Sequence, residues 1–145
     1  METLIRLGAW RTLQNANGER AVDIAVRRGH FHLVPVLEPD QKRRVPIGVL
    51  LRIQSLFHEV ILGRAAQQVR EAALRLPELE PLLEYERSKF WFAVPGMYGG
   101  FAYDLKSDGV RAVLEAESWC RIAEGSGQRH EITSAGSRLT AEGFV

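Results

Sequence analysis

Three short stretches concentrate the side chains that can do chemistry. The first is Pro95-Gly96-Met97-Tyr98-Gly99-Gly100. Met97 and Tyr98 sit at a glycine-rich tip, where an apolar pair left in water is costly and where glycines let another backbone or a ligand come close. Both are residue types that interfaces favour. The plainer alternative is that both side chains fold back onto their own sheet. The second stretch is Glu117-Ser118-Trp119-Cys120-Arg121. Alternation puts Glu117, Trp119 and Arg121 on one face of a strand. Together with Trp91 and Tyr103 they predict an aromatic, charged patch or shallow pocket of the kind that takes peptides or small ligands. Against this stands an ordinary cross-strand ladder, with Arg paired to Glu and stacked on Trp. The third stretch is Gly125 to Thr133, GSGQRHEIT. Arg129, His130 and loop amides can form an anion site there, and the alternative is a solvated hairpin turn.

No catalytic constellation is complete. Ser126 and His130 would need an orienting acid within reach, and there is no Gly-x-Ser-x-Gly elbow. HExxH, EF-hand, Walker A and GxGxxG patterns are absent. The four histidines, His30, His32, His58 and His130, are scattered, so no metal site is expected. The single cysteine, Cys120, allows no intrachain disulfide, and its place on an apolar strand face predicts a buried, inert thiol. No catalytic residue, metal or cofactor is therefore assigned.

Bulk properties narrow the partner. With 19 basic and 18 acidic residues the chain is nearly neutral, which argues against nucleic-acid binding driven by bulk charge. Residues 1–89 carry a net +3 and residues 90–145 a net −2. No apolar run is long enough for a bilayer, and the N-terminus lacks the features of a signal peptide. The expectation is a soluble, cytoplasmic protein with no membrane or nucleic-acid partner.

These side chains need elements to hold them. Ala21, Val22, Ile24, Ala25 and Val26 predict a short helix closed by Gly29, and Phe31, Leu33, Val34, Val36 and Leu37 predict a second. Pro39 and Pro46 bracket a polar linker, residues 39–46, whose Lys42-Arg43-Arg44 reads as solvated. From Ile47, apolar residues at Leu50, Ile53, Phe57, Val60, Ile61, Ala65, Val69, Ala72 and Leu76 predict a long amphipathic helix, with Gly63 as a point of kinking or division. A short helix from Glu78 to Tyr85 follows Pro77, so helices occupy residues 47–88. After Phe90 the period changes to alternation. Strands are expected over Phe90–Val94, Phe101–Leu105 and Val110–Ile122, with one or two more from Glu131 to Val145. Residues 90–145 then form an antiparallel sheet of about four strands under the long helix, an α+β fold. The apolar Gly143-Phe144-Val145 is expected to dock.

The segment Asn15–Leu37 resembles an ankyrin repeat. Gly18 matches the opening turn, Arg20-Ala21-Val22-Asp23-Ile24-Ala25 the family's helix start, Gly29-His30 its turn, and Leu33-Val34 with Val36-Leu37 its second helix. Leu4 to Ala9 look like the tail of a preceding repeat. Arg20-Ala21 stands where the family has Thr-Pro, Asp23 where it has His, and Pro35 lies beyond the first turn of the second helix. Residues 47–145, with WFAVPGMYGGFAY and ESWCRIAEGSGQRHEIT, resemble a C-terminal domain of bacterial ankyrin-repeat proteins of unassigned function, a resemblance that brings no catalytic residue. It implies partial ankyrin-like repeats over 1–38 and an α+β domain over 47–145. The expected function is a non-enzymatic protein-binding module using Met97, Tyr98, Trp91, Tyr103, Glu117, Trp119, Arg121, Arg129 and His130. The exposed end of the helical pair is a further candidate for homo-oligomer formation. The competing reading is a small-molecule binder or enzyme with a pocket between helix and curved sheet.

Overall fold

The computed structural model describes residues 2–87, 89–121 and 125–143. The expectations for Ile122 and for Phe144-Val145 fall outside these residues. Helices come first: α1 (Glu2–Arg6), α2 (Ala21–Arg27), a 3-10 turn over Phe31–Leu33, α3 (Val34–Leu37) and the long α4 (Ile47–Glu71). A 3-10 turn, Glu80–Glu84, leads to the strands β1 (Phe90–Val94), β2 (Gly99–Ser107), β3 (Val113–Cys120), β4 (Ser126–Thr133) and β5 (Gly136–Glu142). The fold class is α+β, with five strands rather than four.

Local chemistry explains the helix ends. The Asp23 carboxylate accepts the Arg20 N–H (2.8 Å) at the start of α2, supplying a cap where no Ser or Thr is present. Gly29, with φ 75°, closes α2, and the amides of Gly29 and His30 reach back to the carbonyls of Val26 and Ala25. Pro35 stands in the first turn of α3, correcting its expected place: the preceding residues form a 3-10 turn, so the α-helix starts late and the missing N–H costs nothing. The kink in α4 falls at Ala65 (φ −139°, ψ 26°), two residues beyond Gly63. The helix stops at Glu71, short of Leu76, because Ala73 turns left-handed (φ 48°) and the amides of Ala73 and Leu74 bond back to the carbonyls of Arg70 and Val69.

The sheet is a plain antiparallel meander, β1-β2-β3-β4-β5. β3 begins at Val113 rather than Val110, since Gly109–Arg111 form a 3-10 turn. One face carries the rows Phe92–Phe101–Ser118–Gln128, Phe90–Tyr103–Ala116–His130–Leu139 and Leu105–Leu114–Ile132. α4 lies on this inner face with Leu50, Ile53, Phe57, Ile61, Ala65 and Val69 buried. Phe57 packs at 4.9 Å from Tyr103 and at 6.4 Å, edge-on, from Phe101 (centroid distances). These side chains fill the space between helix and sheet where an enclosed ligand pocket would have to lie.

The N-terminal residues lie against the body of the fold. Trp10 stacks on Phe90 at 5.1 Å. The buried Thr12 donates both N–H and Oγ–H to Glu84, the Gln14 N–H reaches Glu78, and Arg20 forks onto Glu80 at 2.8 and 3.0 Å. The solvated reading of Arg43 is corrected as well. Its guanidinium bonds Asp108 and the Leu105 carbonyl, and the Lys42 and Arg43 amides donate to the Leu83 carbonyl, because this segment runs along the β2–β3 connection.

Candidate functional site

α4 covers one face of the sheet and leaves the other open. That outer face carries three cross-strand rows. Trp91–Ala102–Glu117–Arg129–Ala141 joins an indole to the Glu117–Arg129 ion pair, and beside it Ala93–Gly100–Trp119–Gly127 sets a second indole among small residues. Asp104–Glu115–Glu131–Arg138 is acidic, bridged by Lys106. At the aromatic end Trp91, Tyr98, Gly99, Trp119 and Arg121 enclose an open notch of about 390 Å³.

The small residues are what make the notch. The indoles of Trp91 and Trp119 lie 5.7 Å apart and tilted by 39°, possible because Gly100 between them has no side chain. A Cβ on Gly100 would stand 2.9 Å from the Trp91 ring and 2.2 Å from the Phe92 carbonyl oxygen. One on Gly99 would stand 2.0 Å from the Trp119 carbonyl oxygen. Pro95-Gly96 turns the chain, with Gly96 at φ 81° and the Met97 amide bonded to the Val94 carbonyl. Tyr98 then adopts φ 50°, unusual for a residue with a Cβ, and holds its ring 75% exposed at the rim.

Charge is arranged around Glu117. Its carboxylate is nearly buried and takes Lys89 (2.5 Å) on one oxygen and Arg129 (2.7 Å from Nε) on the other. The Lys89 ammonium, and after it the Arg129 guanidinium, hold the Glu117 carboxyl below the usual carboxylate range against the opposing effect of burial. Glu117 therefore stays ionised and is fully committed, which makes it a positioning group rather than an acid or base. Lys89 also sits 5.8 Å over the Trp119 ring. Arg121 is exposed and, among the described residues, has no ion-pair partner. The exposed Arg121 places a cation at the edge of the notch.

Of the residues expected from sequence, Trp91, Tyr98, Glu117, Trp119, Arg121 and Arg129 share the outer face or its rim. Three do not. Met97 is 2% exposed: the tip folds it under the sheet into the core, so only Tyr98 is presented. Tyr103 points to the inner face, 4% exposed against Phe57, and burial pushes its hydroxyl up to about 12. His130 neighbours Arg129 but belongs to the inner face, since GSGQRHEIT is strand rather than loop. No anion site joining Arg129 and His130 exists, because successive strand residues point opposite ways. Cys120 is half-buried at the core margin rather than fully enclosed. Lys89 was missed in sequence, and Gly99 was read only as part of a glycine-rich tip. The clash that alanine would meet is the only mark that Gly99 matters, and it exists only in the folded sheet.

His130 gives a pH prediction. Burial, and then the nearby Arg64, lower its pKa. The unfolded chain therefore binds a proton more readily than the folded one. Its contribution to stability is intact at neutral pH and above, and is lost as pH falls through the ordinary histidine range, about 6.5. Urea titrations across this range should show stability dropping on acidification, with the drop flattened in His130→Leu. Glu117 acts lower: it stabilises above the ordinary carboxylate range and loses this as pH falls through its depressed value.

No described helix is long and apolar enough to cross a membrane. Among the described residues, no group of three or more His, Cys, Asp or Glu side chains is placed to hold a metal ion. No protein-family model matches this chain, and comparison with curated proteins and with solved structures finds no match.

Proposed function

We propose that this chain is a non-enzymatic binding module that recognises a protein partner through the notch of Trp91, Tyr98, Trp119 and Arg121. The observation that carries the reading is the convergence of three aromatic rings and the exposed Arg121 guanidinium on the sheet face α4 leaves open. Buried aromatic and Arg anchors are the usual sources of interface affinity. Tyr98 adds a left-handed backbone (φ 50°) that keeps it exposed at the rim. On the resemblance of residues 15–37, the helical pair is an ankyrin-like unit docked beside this domain. Leu7 and Phe31, both largely exposed, are what a second copy would cover. Sedimentation with Leu7→Glu tests that secondary surface.

The main test uses an immobilised array of random short peptides probed with the intact chain. Trp119→Ala and Tyr98→Ala are each expected to weaken binding by about tenfold or more, with unchanged circular dichroism. Retention of every array signal by both variants refutes the reading.

A further inference from the structure

We propose that β1 is a docking edge, and that the partner is an extended protein segment of alternating apolar and polar residues with a carboxylate at its Arg121 end, added as a sixth strand. This rests on the binding reading above and specifies its mode.

The first observation is the main chain. β1 is the terminal strand of the sheet. The Phe92 carbonyl oxygen lies only 2.2 Å from where a Cβ on Gly100 would stand, so it points toward β2. Alternation then aims the amides and carbonyls of Trp91 and Ala93 outward. Among the described residues no hydrogen bond from a loop, cap or side chain meets them. A row of unpaired main-chain groups is a template for another strand.

The second observation is the side-chain setting. The notch lies on the outer side of this edge. A second hollow of about 210 Å³, whose wall includes Trp10, Leu13, Leu76, Pro77 and Phe92, lies on the helix side. Trp91 borders both. Because strand side chains alternate between faces, an added strand delivers successive residues to the two hollows in turn. The other edge, β5, is different: it carries Ser137, Arg138, Thr140 and Glu142, the polar and charged residues that discourage pairing. Phe90–Val94 contains no charge.

The third is electrostatic. Arg121 is exposed at the notch and, among the described residues, has no ion-pair partner, while Lys89 and Arg129 both bond Glu117. The Arg121 guanidinium selects a partner bearing a carboxylate near the notch.

The test titrates the intact chain with acetyl-Thr-Leu-Thr-Phe-Thr-Asp-amide and with its counterpart ending in Lys. Tryptophan fluorescence reads affinity, and amide hydrogen exchange reads β1. The Asp peptide should bind about tenfold tighter than the Lys peptide, and protect the amides of Trp91 and Ala93. Arg121→Glu should reverse the preference. Ala93→Pro removes an outward N–H that the fold does not use, so it should abolish binding while leaving the notch intact. N-methylation along the Asp peptide provides a check on the unaltered chain: losses should fall at every second position. Three outcomes overturn the inference. One is Ala93→Pro binding normally, or N-methylation having no alternating effect. Another is neither peptide binding while array binders still depend on Trp119, which leaves the binding reading standing. The last is protection of the β1 amides with rising protein concentration alone, which makes a second copy the occupant. Loss of Trp119 dependence on the array overturns the binding reading itself.

Discussion

Gly99→Ala is expected to destabilise the fold by about 3 kcal/mol. The added Cβ would lie 2.0 Å from the carbonyl oxygen and 2.8 Å from the carbonyl carbon of Trp119. Neither is a side-chain tip that can swing away. Both belong to β3, whose Trp119 pairs with Gly100 on one side and Gly127 on the other. Relief therefore means opening the β2–β3 ladder where the notch is built. Set against the 5–15 kcal/mol that holds a typical domain together, the loss is large. Gly63 is the control: a Cβ there meets open space, and alanine favours the helix. Urea unfolding should show a much lower midpoint at unchanged slope for Gly99→Ala and no loss for Gly63→Ala. A loss below about 1 kcal/mol at Gly99 would mean that the strands part more easily than their spacing implies.

The second large effect concerns the joint between the N-terminal unit and the rest. Arg20→Ala is expected to cost about 2 kcal/mol, because it strands the Glu80 carboxylate, whose side chain is 9% exposed. The figure is kept below that for a fully buried pair because the Arg20 side chain is 32% exposed. The damage comes from the orphaned charge, so Glu80→Gln in the Arg20→Ala background should recover part of the loss. Measured as a double-mutant cycle, the two substitutions should therefore be non-additive. Hydrogen exchange should rise mainly in residues 10–27, where Thr12, Gln14 and Arg20 rest on the carboxylates of residues 78–84.

That joint was not legible in the sequence. Its partners are 60 to 72 positions apart, and nothing local marks Glu78, Glu80 and Glu84 as acceptors for one segment. The long helix was legible, because apolar spacing from Leu50 to Val69 states its buried face directly. The sheet was partly so. Phe90-Trp91-Phe92 is aromatic on both faces, so alternation shows a strand without saying which side meets α4. That ambiguity put Tyr103 with Trp91. In β4 the polar Ser126, Gln128 and His130 face the helix side, which hid the strand and separated Arg129 from His130. Met97 looked exposed because a glycine-rich tip implies exposure. Its burial follows from the Pro95-Gly96 turn, which folds the tip back and leaves only Tyr98 outside.

The open aromatic face is the centre of this account. The chain has three tryptophans, Trp10, Trp91 and Trp119, so indole N–H resonances report it almost residue by residue. During titration with an array-selected peptide, the indole signals of Trp91 and Trp119 should move together with Tyr98 and Arg121, while Leu4, Leu7 and Phe31 stay still. Shifts confined to those three residues, with Trp119 unmoved, would contradict it.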